Sequence, residues 1–215
     1  MPEDFVFAVK GSRYVTHMLR LVGVHTALAN FYASGVLALG PTLGPFLWQL
    51  PERVAFDADV LNTFLAQLPR TTSDALALAR QHDERLDGRD WLEIESDAPL
   101  RHALEPRSNT FHDPRAIDVL REHGVSLVLA DTAGRWPAFD ALTSDHVYVR
   151  LHGSQELYAS GYTDAELDAW AGRIRGWLDG SGADDGMPRD VYVYFDNDAR
   201  GRAPFDAVAL AERLR

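Results

Sequence analysis

The residues best suited to chemistry in this 215-residue chain stand at the ends of short apolar runs. Phe5–Val9 leads into Lys10 and then Arg13 and His17, and Leu43–Leu50 carries Gln49. His102–Glu105 ends on its own carboxylate, with Arg107 two residues on. Ser126–Ala130 is followed by Asp131, Val147–Leu151 contains Arg150 and runs into His152, and Val191–Phe195 is followed by Asp196, Asn197 and Asp198. Lys10, Arg13, Arg107 and Arg150 could hold an anion, because a planar guanidinium matches a phosphate or carboxylate with two parallel hydrogen bonds. Glu105, His152 and Asp196 are the acid–base candidates, and His17, Gln49 and Asn197 add polar contacts for a ligand.

Each of these residues has a plainer role open to it. Glu105 could pair with Arg107 or Arg150, and strand-end arginines are often solvated. Asp196, Asn197 and Asp198 fit turn and cap chemistry before a last helix. Histidines are more often satisfied rim or core residues than catalysts, which bears on His152. Arg150 is harder to explain away, since a guanidinium inside an apolar strand needs a partner. Trp48, Tyr158, Tyr162 and Trp170 read as packing.

The elements that must position these groups alternate. Six apolar runs are separated by stretches of helical period, which predicts βα units and a parallel sheet. The runs at 126–130 and 191–195 lack polar alternation and predict strands buried on both faces. Asp57 precedes a stripe of Val60, Leu61, Phe64, Leu65 and Leu68, and a further helix is expected from Asp74 to about Glu84. Asp113-Pro114 supplies a cap and an N1 proline, with Gly124 as the stop. Thr163-Asp164-Ala165-Glu166 is a capping box ahead of Leu167, Trp170, Ala171, Ile174 and Leu178, with Gly180 as the stop. A last helix is expected over Phe205–Leu214. Gly180–Pro188 reads as a polar loop, and residues 1–215 are expected to form a single domain. In parallel α/β sheets ligands bind at the carboxyl ends of the strands, where all the candidate residues fall.

Composition narrows the function. A net charge of −11 argues against a general nucleic-acid binder, though a small basic pocket is compatible with it. With no cysteine there is no disulfide framework and no thiolate metal site. The acidic opening Met1-Pro2-Glu3-Asp4 and the lack of a long apolar run predict a cytoplasmic protein. Neither a His-Glu-x-x-His pair, a P-loop, a Gly-x-Gly-x-x-Gly turn nor a Gly-x-Ser-x-Gly elbow is present. The cofactor is left unknown. A metal held by His17, Glu105, His152 and Asp196 from distant strand ends is left open, and no metal site is assigned.

Phe5-Val-Phe-Ala-Val-Lys10 with Thr16-His17, Leu43-Gly-Pro-Phe-Leu-Trp-Gln49-Leu-Pro51, Tyr148-Val-Arg-Leu-His-Gly153 and Val191-Tyr-Val-Tyr-Phe-Asp-Asn-Asp198 together resemble the YecE-like family, domain of unknown function 72. The resemblance runs over almost the whole chain and implies a TIM-type (β/α) barrel without a settled activity. Two features depart from the family pattern. Its Glu-x-Arg-His-x-Ser-Phe motif reads Glu105-Pro106-Arg107-Ser108-Asn109-Thr110-Phe111, so Ser108 stands where the family has histidine. The family's opening Gly-Thr-Ser-Gly-Trp and Glu-Ile-Asn-x-Thr-Phe-Tyr strands have no counterpart. The expectation is an incomplete barrel, six predicted parallel strands instead of eight, consistent with about 250 residues for a full one.

The function expected from these residues is a site for a small anionic ligand, bearing phosphate or carboxylate, at the strand C-terminal ends. The alternatives are a nucleic-acid-processing barrel of endonuclease type and an inactive fragment. Strands Phe5–Val9 and Val191–Phe195 would be open edges through which the chain could self-associate.

Overall fold

The computed structural model describes residues 5–215; the acidic opening at Met1–Asp4 lies outside them. The chain forms two compact units, one ending at Val125 and the other spanning Ser126–Arg215. The first contains β1 (Phe7–Lys10), α1 (His25–Ala33), β2 (Leu43–Gln49), α2 (Ala58–Ala66), α3 (Thr72–Ala79), β3 (His102–Glu105) and α4 (Pro114–Glu122). The second contains β4 (Ser126–Leu127), β5 (Leu129–Asp131), β6 (His146–Leu151), α5 (Asp164–Asp179), β7 (Asp190–Phe195) and α6 (Ala203–Leu214).

In the first unit β1, β2 and β3 lie side by side in chain order and parallel, with Lys10 opposite Leu47 and Gln49 opposite Glu105. In the second, β5, β6 and β7 do the same, with Ala130 opposite Arg150 and Arg150 opposite Tyr194. This is the α/β class with parallel strands that the alternation predicts, in two sheets instead of the single sheet expected. The strand number differs. Among the described residues seven strands replace the expected six, because the run at 126–130 is interrupted at Val128 and the pairing of β5 with β6 begins afresh at Leu129.

Helix ends follow local chemistry. Asp57 accepts from the backbone N–H groups of Asp59 and Val60, both at 3.0 Å, and Asp113 accepts from that of Arg115 at 2.9 Å. The Thr163–Glu166 box is fully formed, and Gly180 closes α5 with a left-handed φ of 83°. α3 starts earlier than expected, since Thr71 rather than a residue nearer Asp74 supplies the cap. It also ends sooner, at Ala79, and a short 3-10 turn covers Glu84–Leu86.

The first unit is centred on aromatic packing. Trp48, wholly buried, meets Phe31 and Phe64 edge-on at 5.5 and 5.4 Å, and its indole N–H donates to His102 Nδ1 at 3.2 Å. His102 Nε2 in turn donates to the Pro69 carbonyl at 2.7 Å, so this histidine is a satisfied core residue. In the second unit Leu129, Val147, Val149 and Leu151 pack against Leu167, Ala171, Ile174, Trp177 and Leu210. Each such Val, Leu or Ile side chain contributes about 2 kcal/mol by leaving water. Leu178, placed on the buried stripe by sequence, is instead 48% exposed, and Trp177 takes the inward position; Trp170 packs at the cluster's margin.

Strand alternation then decides what faces the site. Val147, Val149 and Leu151 of β6 point to the helices, so His146, Tyr148, Arg150 and His152 share the opposite face, and they too are buried. β7 departs from the expectation of burial on both faces: Val191–Phe195 are only half-buried. Phe5, Val6 and Phe7 are partly exposed beside β1, which pairs with β2. Among the described residues no helix is long and apolar enough to cross a membrane.

Candidate functional site

Parallel register brings Lys10, Gln49 and Glu105 to the same end of the first sheet. Lys10, the single lysine of the chain, donates from Nζ to Gln49 Oε1 at 3.0 Å, and Gln49 Nε2 donates to the Leu50 carbonyl at 2.9 Å. Arg107 Nε donates to Glu105 Oε1 at 3.0 Å, a pair in which the carboxylate is buried. Close approach here depends on Gly11: a Cβ at that position would lie 2.3 Å from the Trp48 ring. Arg13, His17, Gln49, Pro51, Glu52, Arg53 and Arg107 line a cleft of about 400 Å³.

His17 reaches this cleft from an irregular segment. Tyr14–Met18 is a π-helical turn closed by the bond from the Leu19 N–H to the Tyr14 carbonyl at 2.9 Å. Arg20 and Leu21 follow it in left-handed conformation, φ 52° and 71°, which costs about 1–3 kcal/mol per residue. The His17 carbonyl accepts from Arg53 at 3.2 Å, tying the turn to the loop after β2. Burial holds the His17 imidazole below its usual pKa, and the positive charges of Arg13, Lys10, Arg107 and Arg53 add to that effect.

The second unit gathers its own polar cluster at the ends of β5, β6 and β7. Arg150 donates to Asp196 Oδ2, and the same oxygen lies 3.3 Å from His152 Nδ1. The His152 ring is fully buried, with Tyr158 and Trp136 edge-on at 5.4 and 6.1 Å. Tyr162 accepts from the Gly153 N–H at 3.1 Å and hydrogen-bonds the Asp131 carboxylate. Burial raises the pKa of Asp131, and burial with the neighbouring carboxylate raises that of Tyr162 well above its ordinary value. Asn197 donates to the Ser160 carbonyl at 2.9 Å and to Asp206 at 2.7 Å, a bracing contact between the end of β7 and α6.

The expected residues therefore fall into two groups. Lys10, Arg13, His17, Gln49, Glu105 and Arg107 meet at the first sheet, and Arg150, His152, Asp196 and Asn197 at the second. Glu105 has taken the pairing that sequence left open, with Arg107. Arg150 faces away from the helices and has Asp196 as partner. Ser108, standing in the family's histidine position, caps the short 3-10 turn Asn109–His112. Sequence reasoning missed Arg53, whose only signal is that Pro51-Glu52-Arg53 directly follows a strand end. It also missed the bond between Asp131 and Tyr162. Among the described residues no group of three or more acidic or histidine side chains could hold a metal.

The model of a family described as protein of unknown function DUF72 matches residues 1–215. The chain belongs to the DUF72 family. YecE-like is another name for it, so the resemblance drawn from the strand motifs holds. A DUF72 family protein from Thermotoga maritima superposes with a TM-score of 0.69 at 21% identity, over 100% of this chain and 75% of that one. Another, from Enterococcus faecalis, gives 0.66 at 16% identity, over 99% of this chain and 75% of that one. At such identities the likeness to these DUF72 structures concerns the fold. No curated protein matches the chain.

Proposed function

We propose that this DUF72 protein binds a small anionic ligand, bearing phosphate or carboxylate, in the cleft at the C-terminal ends of β1–β3. The observation that carries this reading is the convergence of Arg13, Arg53 and Arg107 on one cleft in a chain of net charge −11. In so acidic a protein three guanidiniums against the single carboxylate of Glu52 in the cleft lining make a local positive potential that attracts anions. In this reading Arg13, Arg53 and Arg107 hold the anion, Glu105 orients Arg107, and Lys10 with Gln49 forms the polar edge. His152 and Asp196, held by Arg150, are the acid–base pair of the second unit. The parallel strands in chain order, each group ending in polar residues, support a TIM-type barrel as the architecture behind both groups.

Ligand-dependent melting tests the reading. Inorganic phosphate should raise the melting temperature of the full chain above that in sodium chloride of equal ionic strength, as any ligand of the native state does. The Arg13→Ala/Arg53→Ala double variant should lose that rise. Equal rises in both proteins would remove the cleft from consideration. A nucleic-acid ligand would instead show steep loss of affinity with salt, and inorganic phosphate would be a poor competitor.

A further inference from the structure

We propose that His17 is the proton acceptor of this cleft, its Nε2 taking a proton from a bound ligand that carries an anionic group and a dissociable proton. The inference rests on the anion-binding reading and adds what the site does to its ligand.

In the proposal His17 takes the Nδ1–H tautomer, from its contact with Thr16. Thr16 Oγ1 lies 3.3 Å from the Ser12 carbonyl and 2.8 Å from His17 Nδ1. A hydroxyl has one proton, a carbonyl can only accept, and in the proposed arrangement the threonine proton goes to the Ser12 carbonyl, which also takes the Thr16 backbone N–H at 3.2 Å. The hydroxyl oxygen is then the acceptor toward His17, with Nδ1 carrying the imidazole hydrogen. Nε2 is left as the lone-pair nitrogen, on a ring that lines the cleft.

His102, in the same unit, is a contrast to His17. Both nitrogens of His102 are engaged inside the core, one by Trp48 and one by the Pro69 carbonyl. His17 is equally the product of a built environment, yet only its Nδ1 is used. The segment that carries it is a π-helical turn followed by two non-glycine residues in left-handed conformation. Such turns and such strain concentrate at functional positions, and here they aim one buried imidazole at a cationic cleft.

The charges around the ring favour a base. Lys10 at the end of β1, Arg13 in the same turn, Arg53 after β2 and Arg107 after β3 all act against an imidazolium, while Glu52 lines the cleft and Glu105 is paired with Arg107. Without ligand His17 is thus neutral and ready to accept. A bound anion offsets the cations, so a proton leaving a ligand O–H for Nε2 is stabilised as imidazolium, and the electron pair of that bond stays on the ligand oxygen. Inorganic phosphate contains both the anionic charge and the dissociable hydroxyl, and so serves as the probe.

The test is histidine nitrogen NMR on the full chain, followed through a pH titration with and without inorganic phosphate. The Nδ1–H neutral tautomer should dominate without phosphate, titrating below the ordinary 6.5. Saturating phosphate should raise the His17 midpoint by about one unit or more, roughly a tenfold gain in proton affinity. Thr16→Val should mix the two neutral tautomers while phosphate still binds. A Nε2–H tautomer in the unliganded wild type would overturn the proposal. So would phosphate binding that saturates, by the shifts of cleft residues, while the His17 midpoint stays put; in that case the anion site survives and the proton acceptor does not. Absence of any phosphate binding would remove both.

Discussion

Arg150 on β6 reaches the end of β7 to donate to Asp196, and the oxygen it contacts is the one nearest His152 Nδ1. One carboxylate oxygen therefore stands beside two buried side chains, Arg150 being 8% exposed and His152 fully enclosed. Removing that carboxylate takes a charged partner from the buried Arg150 guanidinium. Asp196→Ala should cost about 2–4 kcal/mol in urea unfolding. Asp140→Ala, which breaks the exposed pair with Arg173, should cost less than about 1 kcal/mol. Similar costs for the two would show that the Arg150 pair is no more than a surface contact.

Gly11 stands where β1 ends and the segment toward His17 begins, and its backbone N–H donates to the Leu47 carbonyl at 2.8 Å. The methyl group of alanine would enter the Trp48 ring, which is wholly buried and cannot swing away. Gly11→Ala should destabilise the protein by about 1–3 kcal/mol and alter Trp48 fluorescence. A variant with unchanged stability and an unchanged spectrum would contradict the packing described for this end of β1.

Asp131 gives a pH signature of definite sign. Its folded pKa is raised above the ordinary carboxylate value, chiefly by burial, so the native state binds this proton more tightly than the unfolded chain. The stabilisation it contributes is complete below about pH 4 and is lost as pH rises through the folded value. Asp131→Asn keeps an acceptor for the Tyr162 hydroxyl and for the Ala133 N–H, and carries no charge at any pH. The variant should gain stability relative to wild type between about pH 4 and pH 7. Thermal melts at both ends of that range decide it, and a variant that loses ground toward neutrality would contradict the assignment.

Sequence rules read best where the cause is local. Asp57, Asp113 and Thr163 cap helices because a short side chain meets N–H groups two or three residues away, a relationship written entirely within each segment. Lys10, Gln49 and Glu105 could be placed at one sheet end because each closes an apolar run and parallel strands align their ends. Other features answer to contacts distant in sequence. α1 has no capping side chain ahead of it, and its buried Leu28, Ala29 and Tyr32 are held by tertiary packing alone. The break at Val128 reflects strand pairing, not a glycine or proline. Trp177 displaces Leu178 from the core because α5 must fill the space left by Val147, Val149 and Leu210. Arg53 carries no periodic or motif signal and becomes visible only when its loop is folded against the His17 turn.

In the proposed reading the cleft at the ends of β1–β3 is an anion site built from Arg13, Arg53 and Arg107. Calorimetric titration with inorganic phosphate, at constant ionic strength, tests it most directly. Arg13→Ala and Arg53→Ala should each weaken binding by about tenfold, the loss expected for a charge-assisted hydrogen bond of about 1.5 kcal/mol. Arg80→Ala, at the C-cap of α3, changes net charge equally without touching the cleft lining and should bind phosphate as wild type does. Equal weakening in all three variants would mean that overall charge governs binding, and the same wild-type affinity in all three would show that the cleft is not an anion site.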